Sequence, residues 1–254
     1  MSYGGPQAQI AIPPFTKMVK ILVITNLVSW VGLIMILQGI LGGTPIFDWF
    51  GLVPHKLINQ FAIWQIFTYM FLHASSVFHV VFNMLILWMF GSELEQRWGS
   101  RWFLAYYLSC GVGAAILYTG AVLIYYLITQ DVLPLMVPVV GASGAAFGLI
   151  LAYGILFGER VVYFMMVFPM KAKYFALILG GVEVLTLMNS GLSGQVANLA
   201  HLGGLVSGFL FLTIWSRWRA SGGGDGRSSQ KRGRKLKLVV NNERTNAEEP
   251  KYWN

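Results

Sequence analysis

Ser143 and His201 are the two residues of this sequence best suited to covalent chemistry, and His79, Asn83 and Glu183 are the polar side chains that accompany them in otherwise apolar stretches. A serine hydroxyl becomes a nucleophile when an imidazole accepts its proton. The same imidazole can then protonate a leaving amine. That pairing is acyl transfer, with Ser143 as nucleophile and His201 as general base. The oxyanion it creates needs preorganised donors, for which the Ser143 backbone N–H, the His79 imidazole and the Asn83 amide are candidates. Asn83 follows His79 by four residues, so the two share a helix face about 6 Å apart. No carboxylate is evident as a third member, because Asp48 and Asp131 fall in loops and nothing in the sequence pairs with Glu183. The expectation is therefore a Ser-His dyad with His201 oriented by packing, and a structural hydrogen-bonding role for Glu183. The single Cys110 excludes an intramolecular disulfide, and no Cys/His spacing suits zinc or haem. No metal and no cofactor are expected.

The elements that must position these groups are membrane helices. Of 254 residues, 56% are hydrophobic and 11% charged, against about 25% charged in soluble domains. That balance excludes a soluble enzyme. The net charge of +8 does not indicate nucleic acid, because the basic residues concentrate from Arg217 onward, outside the apolar body. Such a segment reads as a cytoplasmic tail at a lipid surface.

A spanning helix needs about 20 apolar residues. Six segments qualify or nearly do: 21–41, 77–92, 102–130, 143–158, 174–188 and 196–215. The stretch 133–140, with Pro134 and Pro138, reads as loop, and 161–170 is too short to span. The expected fold class is an all-α membrane protein, a six-transmembrane-helix bundle. The expected division is a short cytoplasmic N-terminus at 1–16, a six-span body at 17–216 and a basic, disordered cytoplasmic tail at 217–254. With both termini cytoplasmic, Lys56 alone of the Lys and Arg residues falls on the outer side, which satisfies the positive-inside rule.

The fourth segment is short, about 24 Å at 1.5 Å per residue against a hydrocarbon core of about 30 Å. Ser143 at its head then lies below the outer surface. The loop before it must dip into the membrane, which is tolerated where it is buried in protein or lines a water-filled cavity. Counting back from the first charge beyond each helix puts Ser143, His201 and His79 near one level.

These residues also carry a resemblance. Gly141-Ala142-Ser143-Gly144, Ala200-His201-Leu202-Gly203-Gly204, His79-Val80-Val81-Phe82-Asn83 and Glu95-Gln96-Arg97-Trp98-Gly99-Ser100 resemble, in order and helix assignment, the motifs of the rhomboid intramembrane serine proteases over roughly 17–215. The resemblance implies cleavage of single-pass transmembrane proteins near the outer membrane boundary, without metal or cofactor. It implies close packing through Gly204 and Gly208 against the fourth helix, and Phe147 as an aromatic ring against the catalytic histidine. Two departures stand out. The family's frequent Trp-Arg pair is Trp64-Gln65 here, and His73 precedes His79 by six residues where five is more frequent, which leaves His73 outside the expected site.

Two other classes of function fit the sequence less well. A catalytically inactive rhomboid-like protein that binds transmembrane helices would not need both Ser143 and His201. A small transporter would call for an ionisable relay or half-helices repeated in both halves of the chain, and the sequence has no such symmetry. The short N-terminus and compact body point to a bacterial inner membrane.

Overall fold

The computed structural model describes residues 13–42, 45–164, 167–194 and 196–221. Of the tail expected at 217–254, the part from 222 onward lies outside the described residues, as does the segment before Pro13, whereas 217–220 continue the last described helix and are not the disordered segment expected there.

The protein is an all-α, multi-spanning membrane protein. Helix α1 covers Lys17–Leu41, wound as a π-helix over Trp30–Leu37. Three short helices follow, α2 (Pro45–Phe50), α3 (Pro54–Asn59) and α4 (Gln65–Thr68), the last passing into a 3₁₀ turn at Tyr69–Phe71. The long helices α5 (Val77–Trp98) and α6 (Ser100–Thr129) meet at Gly99. The brief α7 (Leu133–Met136) precedes α8 (Ser143–Leu156), and α9 (Ala172–Gly194) and α10 (Val196–Ala220) complete the described chain. Five of these helices, α1, α5, α6, α9 and α10, are long and apolar enough to cross a membrane, whereas α8 is a shorter apolar helix of 14 residues.

Two local readings need correction, and a third segment, too short to span as expected, takes a form the sequence did not specify. The stretch 133–140 is not wholly loop, since α7 occupies its first half with Pro134 in its first turn, where a missing N–H costs nothing. The segment 161–170 is a two-stranded antiparallel hairpin, β1 (Val161–Phe164) against β2 (Phe168–Lys171), which pairs the backbone groups that so short a segment could not satisfy as a helix. The second helix does not stop at Ser92 but continues to Trp98, where its two glutamates, Glu93 and Glu95, acquire partners.

Helix α6 is central to the core. Its buried Tyr106, Tyr107 and Tyr118 are almost fully excluded from solvent, as is Tyr69. The hydroxyl of a buried tyrosine usually finds an acceptor, and three of these four do. Tyr69 donates to the Gly111 carbonyl at 2.6 Å, Tyr106 to that of Gly148 at 2.6 Å and Tyr118 to that of Pro134 at 3.3 Å. These bonds tie the loop region before α5, α8 and α7 to one helix. The outer surface is the inverse of a soluble protein's, with Ile40, Phe78, Ile128, Leu177, Met188 and Ile214 all exposed, as side chains facing lipid should be.

Candidate active site

Ser143 is the first residue of α8, half-buried, with the N–H groups of the first helical turn beside it. These have no acceptor within the helix and carry its positive partial charge. The approach to Ser143 is non-helical, and its hydrogen bonds go to the loop between α1 and α5. Leu52 and Val139 exchange two backbone bonds of 2.9 Å, and the Gly141 N–H donates to the Tyr69 carbonyl at 2.9 Å. These bonds anchor the irregular backbone in the protein, as the expected dip into the membrane would require. Gly141 has φ +127°, and a Cβ there would lie 3.0 Å from His79 Nε2 and 3.6 Å from Ser143 Oγ. Both the backbone conformation and the space call for glycine.

That measurement also puts His79 next to Ser143. His79 Nδ1 accepts from the Ala74 N–H at 3.2 Å, which leaves Nε2 as the protonated nitrogen of the neutral ring. The nitrogen against Gly141 is thus a donor. Asn83 is buried, and one N–H of its amide donates to the His79 carbonyl at 2.8 Å. Its second N–H remains for another acceptor.

His201 comes from α10. That helix packs onto the head of α8 at Gly204, where a Cβ would fall 1.9 Å from the Gly144 carbonyl oxygen, so nothing larger than glycine permits this approach. A Cβ on Gly144 would in turn meet Ala114 of α6 at 2.8 Å. Phe147, one turn beyond Ser143, stacks on the His201 ring with centroids 4.4 Å apart and planes within 14°. Ser143, Gly141, Gly144, Phe147, His79, His201 and Gly204 therefore gather around the head of α8, with Asn83 one turn along α5.

The absence of a carboxylate beside His201 is corrected by the structure. Glu183 Oε1 lies 3.0 Å from His201 Nδ1, an ion-pair distance without the alignment of a full hydrogen bond. Its other oxygen accepts from Asn198 Nδ2 at 2.5 Å. Eighteen residues separate Glu183 on α9 from His201 on α10, so sequence spacing gave no pairing. Asn198 was missed as well, although its position three residues before His201, on the same helix face, was a usable signal.

Gln65, which departs from the family's Trp-Arg pair, is 1% exposed. It accepts from the Val53 N–H at 3.0 Å and donates to the Asp48 carbonyl at 3.0 Å. An uncharged amide thus holds the loop region in this chain. His73 is fully buried with no hydrogen bond to either ring nitrogen among the described residues, edge-on to His79 at 5.2 Å. Burial, and then the neighbouring His79, pulls its pKa down to about 3, so it stays neutral.

Comparison with known proteins agrees with this architecture. Residues 60–218 match the family model described as Rhomboid domain. The chain is 33% identical over 155 residues to RHOMBOID-like protein 1 of Arabidopsis thaliana, covering 61% of this chain and 35% of that protein. It is 30% identical over 164 residues to Rhomboid protease GluP of Bacillus subtilis, covering 63% and 27%. It is 34% identical over 155 residues to Rhomboid protease AarA of Providencia stuartii, covering 58% and 54%. The matched regions thus span between about a quarter and about a half of these relatives.

Proposed function

The chain belongs to the rhomboid family, and from that premise we propose that it is an intramembrane serine protease that cleaves single-pass transmembrane proteins near the outer membrane boundary. Ser143 Oγ attacks the scissile carbonyl carbon while its proton passes to His201. The new oxyanion is held by the Ser143 N–H, His79 Nε2–H and the free N–H of Asn83. When the intermediate collapses, the C–N bond breaks and His201 returns the proton to the leaving amine. Water, deprotonated by the same imidazole, then releases the acyl group from Ser143.

The observation that carries this reading is the convergence at the head of α8 of groups from three separate helices, with Phe147 against His201 and Gly141 between His79 Nε2 and Ser143 Oγ. The membrane arrangement proposed with it counts α8 as a span, so that 17–216 forms a six-span catalytic body. The short helix starts below the outer surface, consistent with its length of about 21 Å at 1.5 Å per residue. The distribution of Lys and Arg supports cytoplasmic termini and a cytoplasmic tail at 217–254. A bacterial inner membrane is the proposed location, with lipid as the surrounding partner.

A serine-directed fluorophosphonate probe on the detergent-purified chain tests the assignment. Labelling is expected in the wild-type protein and absent from Ser143→Ala; equal labelling of both would remove Ser143 from its role.

A further inference from the structure

Glu183 lies on α9, with its side chain 12% exposed, and its two oxygens divide between two residues of one α10 face. Oε2 takes the Asn198 amide. Oε1 sits 3.0 Å from His201 Nδ1. Phe147 covers a face of the same imidazole. The ring is therefore held on one face by an aromatic plane and at one nitrogen by a carboxylate, which leaves Nε2 as the nitrogen for Ser143.

We propose that Glu183 is a positioning residue for His201, making the site a Ser143-His201-Glu183 unit and not a dyad. This rests on the protease reading above. A carboxylate beside Nδ1 favours the tautomer that carries its proton there, so the Nε2 lone pair faces the serine hydroxyl. When Ser143 gives its proton to Nε2, the ring becomes an imidazolium, and an ionised carboxylate at 3.0 Å stabilises the new charge. Glu183 gains no proton in this step. The Nδ1 proton stays on the ring, and the Nε2 proton leaves with the amine product. Because the resting contact lacks hydrogen-bond alignment, the stabilisation is concentrated in the charged state, where it lowers the barrier and not the binding of substrate.

Asn198 supplies the means of separating this role from simple bracing of α9 against α10. Its bond fixes one carboxylate oxygen, and a glutamine at 183 still offers Asn198 an acceptor but has no charge for His201.

The test is steady-state cleavage of a tagged single-span reporter by the full chain in detergent, comparing wild type, Glu183→Gln, Glu183→Asp and Asn198→Ala, with thermal unfolding of each. Glu183→Gln should lose on the order of 10² in kcat, less than the ~10⁴ that follows loss of an aligned carboxylate in a triad. Its KM should stay within about threefold, since the lost interaction belongs to the transition state. Glu183→Asp should recover at least about a tenth of wild-type kcat, as the charge without full reach would. Asn198→Ala should cost less than Glu183→Gln. Wild-type kcat in Glu183→Gln, or equal losses in Glu183→Gln and Asn198→Ala, would overturn the assignment. If Glu183→Gln fails to fold, Glu183→Asp decides: folded but no more active than His201→Ala, it refutes the proposal. A wild-type chain that neither cleaves nor takes the fluorophosphonate label would bring down the protease reading itself, a result distinct from an active enzyme indifferent to residue 183.

Discussion

Glu95 and Glu183 are both carboxylates withdrawn from solvent, but the bonds of Glu95 are filled by fixed structural donors whereas one oxygen of Glu183 is left to an imidazole. Glu95 accepts from the Thr16 hydroxyl, from the Met18 N–H at 2.9 Å, from the Val19 N–H at 2.9 Å and from the Ser100 hydroxyl at 2.5 Å. These partners are the first turn of α1 and the start of α6, so one side chain caps one helix and clamps a second. This gives a physical reason for the Glu95 to Ser100 motif: Gly99 turns the chain at φ +79° so that Ser100 reaches back to the carboxylate. The neighbouring acids at that end are also occupied. Glu93 meets Tyr153 at 3.0 Å and pairs with Arg160, and Glu159 pairs with Lys171 at 2.7 Å and with Lys173. Around Ser143, by contrast, Asn83 and His79 retain donors that no acceptor among the described residues fills. One end of the bundle commits its polar groups to the fold; the other holds the groups to which the proposed chemistry is assigned.

The sharpest way to break that contrast is at Ser143 and His201. Each alanine variant should lower cleavage by at least ~10⁴-fold, and the double variant should be no worse, because members of one acyl-transfer unit fail together. Their unfolding temperatures should stay near that of the wild type. Residual turnover in His201→Ala comparable to wild type would identify another base.

Glu95→Ala should show the opposite pattern. It strands several donors at once, a loss of roughly 2–5 kcal/mol of stability. Cleavage per folded molecule should be unchanged, measured by thermal unfolding alongside the reporter assay at a temperature where the variant is folded. A variant of wild-type stability would show that Glu95 is not the clamp described.

Removal of a single oxyanion donor is the next step down in activity. His79→Ala and Asn83→Ala should each lower kcat by about 10²–10³ while others remain, with little change in KM. A raised KM at unchanged kcat would make the residue a substrate contact instead.

The smallest effect is expected at Glu159, where the bonds from Lys171 and Lys173 pull the carboxyl pKa down to about 2. Since the folded-state value lies below the unfolded one, any stabilisation from these bonds is present above the ordinary carboxylate range. It is lost only as pH falls through that range towards about 2. The group is fully exposed, so solvent screens it. Glu159→Gln should leave both unfolding temperature and cleavage at neutral pH unchanged, and a clear drop in either would place a functional ion pair where only a surface one is described.

The amino-acid sequence by itself determined the class of fold. Long uncharged runs have no stable solution in lipid other than helices, and the helix repeat fixes which neighbours on one helix share a face, as His79 and Asn83 do. Even the shortness of α8 follows from where its apolar run begins and ends. What only the tertiary structure decided is the meeting of groups on different helices. Glu183 and His201 lie eighteen residues apart on different helices, and whether they touch depends on how α9 and α10 are rotated about their axes, which no count along the chain specifies. The same holds for Glu95, whose partners at Thr16 to Val19 are far away in the chain, and for Gln65, whose amide fills backbone groups of a loop that hydrophobic patterning does not read. Periodicity records contacts within a helix; contacts between helices are set by side-chain packing, and in this protein glycine contacts such as Gly204 on Gly144 bring the backbones close enough for those contacts to form.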